Sequence, residues 1–129
     1  MGPKVLVDTD ILIKTYRGNR QLYKELQHIR NDFAISVITA MELYTGAGTV
    51  RKRTSMRREL RAYEVLHLSE AISVMALKFY ATYQPASKLL IPDFLVAATA
   101  LTHGMQLFTH NKKDFSIIRG LRFYNEKFA

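Results

Sequence analysis

The feature that most limits the fold of this 129-residue chain is its alternation of short apolar runs with longer helical segments. Lys4–Asp8 is β-branched and apolar on both faces, which is typical of a buried parallel strand. Further strand candidates are Phe33–Ser36, Glu64–Leu68, Gln106–Thr109 and, at an edge, Arg122–Tyr124. Strands that alternate with helices predict one α/β domain over residues 1–129, with three layers around a central, mainly parallel sheet of four or five strands.

Helical periodicity accounts for the segments between these runs. It predicts helices at Asp10–Arg17, Gln21–Arg30, Ile38–Ala47, Thr49–Ala62, from the cap Ser69 to about Tyr83, and Asp93–His103. The helix after Ser69 has a second apolar face formed by Val74, Leu77 and Tyr80. That helix is therefore expected to be deeply buried or to meet a partner, such as a second copy of the chain.

Composition limits the class of protein. Cysteine is absent, which excludes disulfides, thiolate zinc sites and cysteine nucleophiles. We find neither a secretory signal pattern nor an apolar run near the ~20 residues that span a bilayer, so a soluble, cytoplasmic protein is expected. The net charge of +8 favours a polyanionic substrate or an acidic partner.

Four acidic residues stand in apolar surroundings where charge is usually avoided, namely Asp8, Glu42, Asp93 and Asp114. The predicted elements put Asp8 and Asp114 at or just after strand ends, and Glu42 and Asp93 in first helical turns. Sites in parallel α/β sheets form at the carboxyl ends of the strands, so these acids are expected to converge. Mg²⁺ or Mn²⁺ prefers such oxygen ligands and would relieve their mutual repulsion.

Each acid also has a purely structural explanation. Asp8 is a favoured helix N-cap residue, and Thr39 and Glu42 have the spacing of a capping box. Asp93 would gain from the dipole of its helix, and Asp114 would stabilise a turn. Taken singly, these explanations compete evenly with a functional one, but four caps at one sheet edge would repel each other without a cation.

Four segments of the chain, in order, resemble the motifs of PIN domains, and most closely those of VapC-type toxin ribonucleases: Val5–Leu12, Ser36–Gly46, Pro92–Ala98 and Leu107–Phe115. The resemblance implies that Asp8, Glu42, Asp93 and Asp114 form a Mg²⁺ or Mn²⁺ site for RNA cleavage. Asp8 and Asp93 would be direct ligands, while Glu42 and Asp114 would bind through water or position the attacking water.

The resemblance extends to supporting residues. Thr109 and Asn111 match the polar residues before the fourth acid and would support the site by hydrogen bonds. Asp10 departs from the family pattern, where Asn or Ser is common, and would either join the cluster or, as we favour, cap the helix. The family also implies an antitoxin protein partner and a homodimer.

A basic helix is the second candidate functional feature. Its cations are expected to contact the RNA backbone or an acidic antitoxin segment, with a solvated helix face as the alternative: Arg51, Lys52, Arg53, Arg57, Arg58 and Arg61. Asp8-Thr9-Asp10 also resembles the opening motif of haloacid-dehalogenase-type phosphatases, but Leu12 stands where that motif has Thr or Val. A further alternative is a non-catalytic RNA- or protein-binding module that uses the same basic surface.

Overall fold

The computed structural model describes residues 2–128. Its elements in chain order are β1 (Val5–Val7), α1 (Thr9–Tyr16), α2 (Arg20–His28), β2 (Phe33–Ser36), α3 (Val37–Ala47), α4 (Val50–Leu60), β3 (Glu64–Leu66), α5 (Glu70–Tyr83), α6 (Ile91–Thr102), β4 (Gln106–Phe108) and α7 (Lys112–Phe115). The predicted α/β class and the predicted helices are therefore confirmed, with ends that shift by a few residues.

The four strands form one parallel sheet in the order β3-β2-β1-β4. Leu6 lies opposite Ala34 of β2 and opposite Leu107 of β4, so β1 is hydrogen-bonded along both sides. An interior parallel strand can present apolar residues to both faces, which explains why the β1 run does not alternate. The carboxyl ends of all four strands consequently open on one edge of the sheet.

Helices cover both faces of the sheet and make the three predicted layers. Val5, Val7 and Ile35 point to one face and pack against α1, α2, α3 and α4. Leu6 and Leu107 point to the other face and pack against α5, α6 and α7. Successive side chains of a strand point to opposite faces of the sheet, so one short apolar strand contributes residues to both hydrophobic cores.

The prediction of an edge strand at Arg122–Tyr124 is wrong. Only a single parallel bridge joins Leu107 to Phe123 there, while Leu107 N donates to Arg122 O and Tyr124 N donates to Leu107 O. The segment touches β4 at one residue and then leaves it, so the sheet has four strands.

The capping box proposed at Thr39 and Glu42 is also wrong. Ser36 is the N-cap of α3, and its hydroxyl accepts the Ile38 backbone N–H at 3.0 Å. Thr39 is instead buried inside the helix, and Glu42 falls in the second turn rather than the first. Capping therefore gives no account of the Glu42 carboxylate.

The helix α5 begins at its predicted cap, since the Ser69 hydroxyl accepts the Ile72 N–H at 3.2 Å. Its second apolar face is exposed rather than deeply buried, with Val74 at 61% and Leu77 at 70% of full accessibility. Of the two expectations for this helix, only the contact with a partner remains. Among residues 2–128, no helix has both the length and the apolar character that a bilayer crossing requires.

Candidate active site

Asp8 lies at the carboxyl end of β1 and is the N-cap of α1. Its Oδ1 accepts the Thr9 backbone N–H at 2.9 Å, and its Oδ2 accepts the Thr109 hydroxyl at 2.9 Å. The residue is only 8% exposed. The pKa of Asp8 is raised to about 7, chiefly by burial. The nearby carboxylates of Asp10 and Asp93 also raise this pKa, whereas the hydrogen bonds from Thr109 and Thr9 lower it. A carboxyl group in this position is stabilised in its charged form by a cation.

Asp10 is the second residue of α1 and does not cap it, because Asp8 occupies the cap; the prediction that Asp10 is a cap is wrong. Its Oδ2 accepts the His110 backbone N–H at 3.0 Å, whereas its Oδ1 is buried without a hydrogen-bond partner among residues 2–128. Most buried polar atoms are paired, so an orphaned carboxylate oxygen is unusual. This unpaired oxygen belongs to a carboxylate close enough to Asp8 to raise the pKa of that residue.

Asp93 and Asp114 approach the same edge from α6 and α7. Asp93 Oδ2 accepts the Leu90 backbone N–H at 2.8 Å and so closes the first turn of α6. Burial raises the pKa of Asp93 above its ordinary range, that hydrogen bond opposes the rise, and the carboxylates of Asp10 and Asp114 add to it. The fold thus brings these aspartates within electrostatic range of one another.

Glu42 is joined to this group through Thr9. The Thr9 hydroxyl donates to Glu42 Oε1 at 2.6 Å, while the Thr9 backbone N–H is bound by Asp8. The hydroxyl of Thr39 lies 3.1 Å from the Thr9 hydroxyl on the same side. Thr9 therefore donates hydrogen bonds to the carboxylates of both Asp8 and Glu42. The sequence did not predict this role.

The loop after β4 supports Asp8 from the other side. Thr109 is fully buried, donates to Asp8 and accepts the Asn111 backbone N–H at 3.0 Å. A buried hydroxyl that serves as both donor and acceptor fixes the loop and the carboxylate together. The Asn111 side chain makes no hydrogen bond that caps α7, within the described part of the chain. The side chain of Thr109 therefore makes a hydrogen bond to Asp8, as predicted, whereas Asn111 contributes only its backbone N–H.

The donor set fits a hard divalent cation in its chemistry. Every candidate ligand is a carboxylate, which Mg²⁺ and Mn²⁺ prefer, and one oxygen of Asp10 is buried and unpaired. Across residues 2–128, however, no three His, Asp or Glu side chains are already close enough to hold an ion together. The acids are therefore neighbours at one edge, and their role as ligands stays a prediction.

The basic helix α4 borders the Glu42 side of this edge. Five of the predicted cations lie in α4 and Arg61 is its C-cap; all are exposed and, in the described residues, none is paired in a salt bridge: Arg51, Lys52, Arg53, Arg57, Arg58 and Arg61. Lys52 and Glu42 both line one cleft of about 450 Å³, whose apolar walls come from α1, α3 and α4. One cation of the basic helix, Lys52, thus shares a cleft with Glu42.

Two further acids were missed by the sequence reading. Glu25 is completely buried, and Glu126 is hydrogen-bonded to His110. The signal for Glu25 was its place three residues after Leu22 on the apolar face of α2. Nothing local distinguishes Glu126 from an ordinary surface glutamate.

The sequence pattern described as PIN domain matches residues 5–121 of the chain. The chain belongs to the PIN-domain family. This confirms the resemblance drawn from the four acidic segments, and the matched residues include all four acids at the sheet edge of this PIN domain.

Curated relatives of this PIN domain cover nearly its whole length. Ribonuclease VapC10 of Mycobacterium tuberculosis is 32% identical over 121 residues, which span 92% of the chain and 90% of that relative. Ribonuclease VapC1 of Methanocaldococcus jannaschii is 29% identical over 126 residues, or 95% of the chain and 88% of that relative.

Solved structures agree with the fold of this PIN domain. A toxin–antitoxin complex from Klebsiella pneumoniae contains a chain that is 32% identical, with a TM-score of 0.79 and coverage of 96% of this chain and 100% of that one. DNA-bound VapBC from Salmonella typhimurium matches with a TM-score of 0.86 at 22% identity, over 97% of this chain and 99% of that one. The second likeness, at its lower identity, supports the fold alone.

Proposed function

We propose that this chain is an endoribonuclease that hydrolyses RNA phosphodiester bonds with Mg²⁺ or Mn²⁺, and that it is the toxin of a type II toxin–antitoxin pair. In this proposal residues 1–129 act as one nuclease domain, in the cytoplasm, where cellular RNA is found. The observation that carries it is the buried Asp8 carboxyl, whose pKa is raised to about 7 beside Asp10 and Asp93. Perturbed carboxyl groups that crowd one edge of a sheet are typical of a catalytic site rather than of surface caps.

The proposed ligands follow from burial and contacts. Asp8 and Asp93 would hold the ion directly, and the unpaired Oδ1 of Asp10 would be available to it. A bound ion would supply charge neutralisation at the phosphate and a lowered pKa for a bound water. Glu42 and Asp114 would orient the attacking water by accepting its protons, and Thr9 and Thr109 would hold the carboxylates in place.

The basic helix would bind the RNA backbone. Lys52 lines the cleft that reaches Glu42, so a phosphate chain bound at Lys52 would extend toward the acids, and the other exposed cations of the helix would add to its positive field. Such contacts give affinity and salt dependence but little sequence choice. An antitoxin segment that covers the same surface would compete with RNA for it.

A partner is proposed from the relatives. The chain similar to this one in Klebsiella pneumoniae, at 32% identity, is part of a toxin–antitoxin complex. We extend an antitoxin partner to this chain on that basis. The exposed apolar face of α5, with Val74 and Leu77, is proposed as the homodimer contact. The non-catalytic binding module is not favoured, since the curated relatives are ribonucleases.

Incubation of the pure protein with a total RNA pool tests the activity. New RNA ends should appear with Mg²⁺ or Mn²⁺ and be absent with EDTA. Asp8→Asn and Asp93→Asn should fold and lose cleavage by about 100-fold or more, since each removes a negative ligand while keeping a hydrogen-bond acceptor. Glu64→Gln, which removes an exposed carboxylate at the opposite edge of the sheet, is the matched control.

The contrary results are equally definite. Cleavage by Asp8→Asn at the wild-type rate with Mg²⁺ would contradict the metal-dependent mechanism. RNA binding without cleavage, unchanged by EDTA and across several metals, would instead establish the binding module.

A further inference from the structure

Residues 122–128 cross back over the fold and contact α2. We call residues 122–128 the C-terminal strap. Beyond its single bridge to β4, the strap is held by the Tyr124 ring, which is 6% exposed and lies 4.8 Å from the ring centroid of Phe108. Phe128 meets His28 edge to face at 5.6 Å between ring centroids. The strap is therefore a packed part of the structure.

One buried carboxylate anchors this strap. Glu25 is 0% exposed, and all three of its hydrogen-bond donors come from the strap. Tyr124 Oη donates to Glu25 Oε2 at 2.6 Å, the Phe128 N–H donates to Oε1 at 2.5 Å, and the Lys127 N–H donates to the same oxygen. No cation in residues 2–128 forms a salt bridge with Glu25. Burial of a carboxylate is costly, so these three bonds fix the strap strongly to α2.

The anchored strap carries Glu126 to the active-site edge. Glu126 Oε1 lies 2.6 Å from His110 Nε2, and Lys14 Nζ lies 2.8 Å from His110 Nδ1. Because a lysine ammonium only donates, Nδ1 accepts from Lys14 and the Nε2–H donates to Glu126. The imidazole is thus held on both sides, by α1 and by the strap.

His110 connects this arrangement to the carboxylates. Its backbone N–H donates to Asp10 Oδ2 at 3.0 Å, and the residue before it, Thr109, donates to Asp8 Oδ2 at 2.9 Å. Residues 109–111, which we call the site loop, therefore contact Asp8 and Asp10 directly. A shift of His110 would move both contacts together.

We propose that Glu126 and Glu25 are positioning residues, which hold the site loop through His110 and so set the geometry in which Asp8 and Asp10 bind a divalent cation. The inference rests on the proposed metal-dependent function but concerns residues that touch neither RNA nor the ion. Outer hydrogen-bond partners of metal ligands commonly contribute 10- to 100-fold to metal affinity. We expect an effect at the lower end, because Glu126 acts through an intervening residue.

The experiment compares Glu126→Ala, Glu126→Gln and the neighbouring Asn125→Ala. Asn125 is exposed and shares the strap, so its variant controls for any general loosening of the segment. In the metal-free protein, amide hydrogen exchange at His110 and Asn111 reports on the site loop without any activity. Mn²⁺ affinity is measured separately by titration calorimetry without RNA.

Glu126→Ala should speed exchange at His110 and Asn111 about 10-fold and weaken Mn²⁺ binding about 10-fold, with little change in melting temperature. Glu126→Gln should recover most of both, because its amide oxygen still accepts from His110 Nε2. Asn125→Ala should match the wild type. Glu25→Gln should likewise speed exchange at His110 and Asn111 and weaken Mn²⁺ binding. It should also lower the melting temperature, because it alters the hydrogen bonds that hold the strap to α2.

Unchanged exchange at the site loop in Glu126→Ala would overturn the proposal, and so would unchanged Mn²⁺ affinity alongside faster exchange. If the wild-type protein itself bound no Mn²⁺, the proposed metal-dependent function would fail, and with it the purpose assigned to the strap. The exchange result would then still decide whether Glu126 holds the site loop.

Discussion

The raised pKa of Asp8 predicts that metal-free protein loses stability as the pH rises from about 4 to about 7. Burial and the neighbouring Asp10 raise this pKa from 3.8 to about 7 in the folded state. Between these two values the folded chain keeps a proton that the unfolded chain has already released. Since the folded state then binds more protons, its free energy of unfolding falls with increasing pH and levels off above about 7.

The size of the effect follows from the two pKa values of Asp8. Each tenfold change in proton affinity corresponds to about 1.36 kcal/mol, so the full difference is on the order of 4 kcal/mol. Asp8→Asn cannot ionise, and its amide oxygen still accepts the Thr9 N–H at the N-cap. It loses one acceptor toward Thr109, at a cost of about 1 kcal/mol that does not depend on pH.

Urea unfolding followed by circular dichroism, in EDTA at pH 4.5 and pH 8, measures this difference. The stability of the wild type relative to Asp8→Asn should fall by several kcal/mol between the two pH values, which makes the variant the more stable protein at pH 8. Addition of Mg²⁺ at pH 8 should stabilise the wild type and leave the variant unchanged. A relative stability that is the same at both pH values would refute the assignment of a buried, repelled carboxyl to Asp8.

Three further predictions concern the loop, the basic helix and α5. Thr109→Val should lower the free energy of unfolding by about 1–3 kcal/mol in urea because it strips a donor from buried Asp8, whereas Thr109→Ser should not. Arg57→Gln should reduce the slope of log affinity for single-stranded RNA against log salt by about 0.7 in a filter-binding series, with Lys78→Gln on α5 unchanged. Leu77→Glu, at an exposed apolar position, should give a monomer in light scattering at micromolar concentration while the melting temperature of the monomer is retained; a dimer would refute the α5 contact.

Much of the fold could be predicted because its determinants are local. The apolar run of β1, the cap at Ser69 and the positive φ of 100° at Gly18 after α1 all act over a few residues. Such signals are written in neighbouring residues, and the structure follows them. The predicted fifth strand failed because the bridge between Leu107 and Phe123 depends on where the strap crosses β4, which no local pattern encodes.

The contacts of the acids were predicted less completely than the fold. Asp8 and Asp93 are conspicuous in the sequence because they stand in or beside apolar runs. Local rules favoured a cap for Asp10 and offered a capping box as the structural alternative for Glu42, and the structure shows neither. The actual partner of Glu42 is Thr9, 33 residues away, and the partner of Asp10 is the His110 N–H, 100 residues away.

The sequence by itself therefore determined the alternation of strands and helices, the sheet edge on which the acids lie and the membership in the PIN-domain family. Only the tertiary structure decided how Thr9 joins Asp8 to Glu42, and that buried Glu25 fastens the C-terminal strap. The physical reason is the range of the forces involved. Periodicity and caps act within about one helical turn, whereas burial and hydrogen bonds between distant segments exist only once the chain has closed on itself.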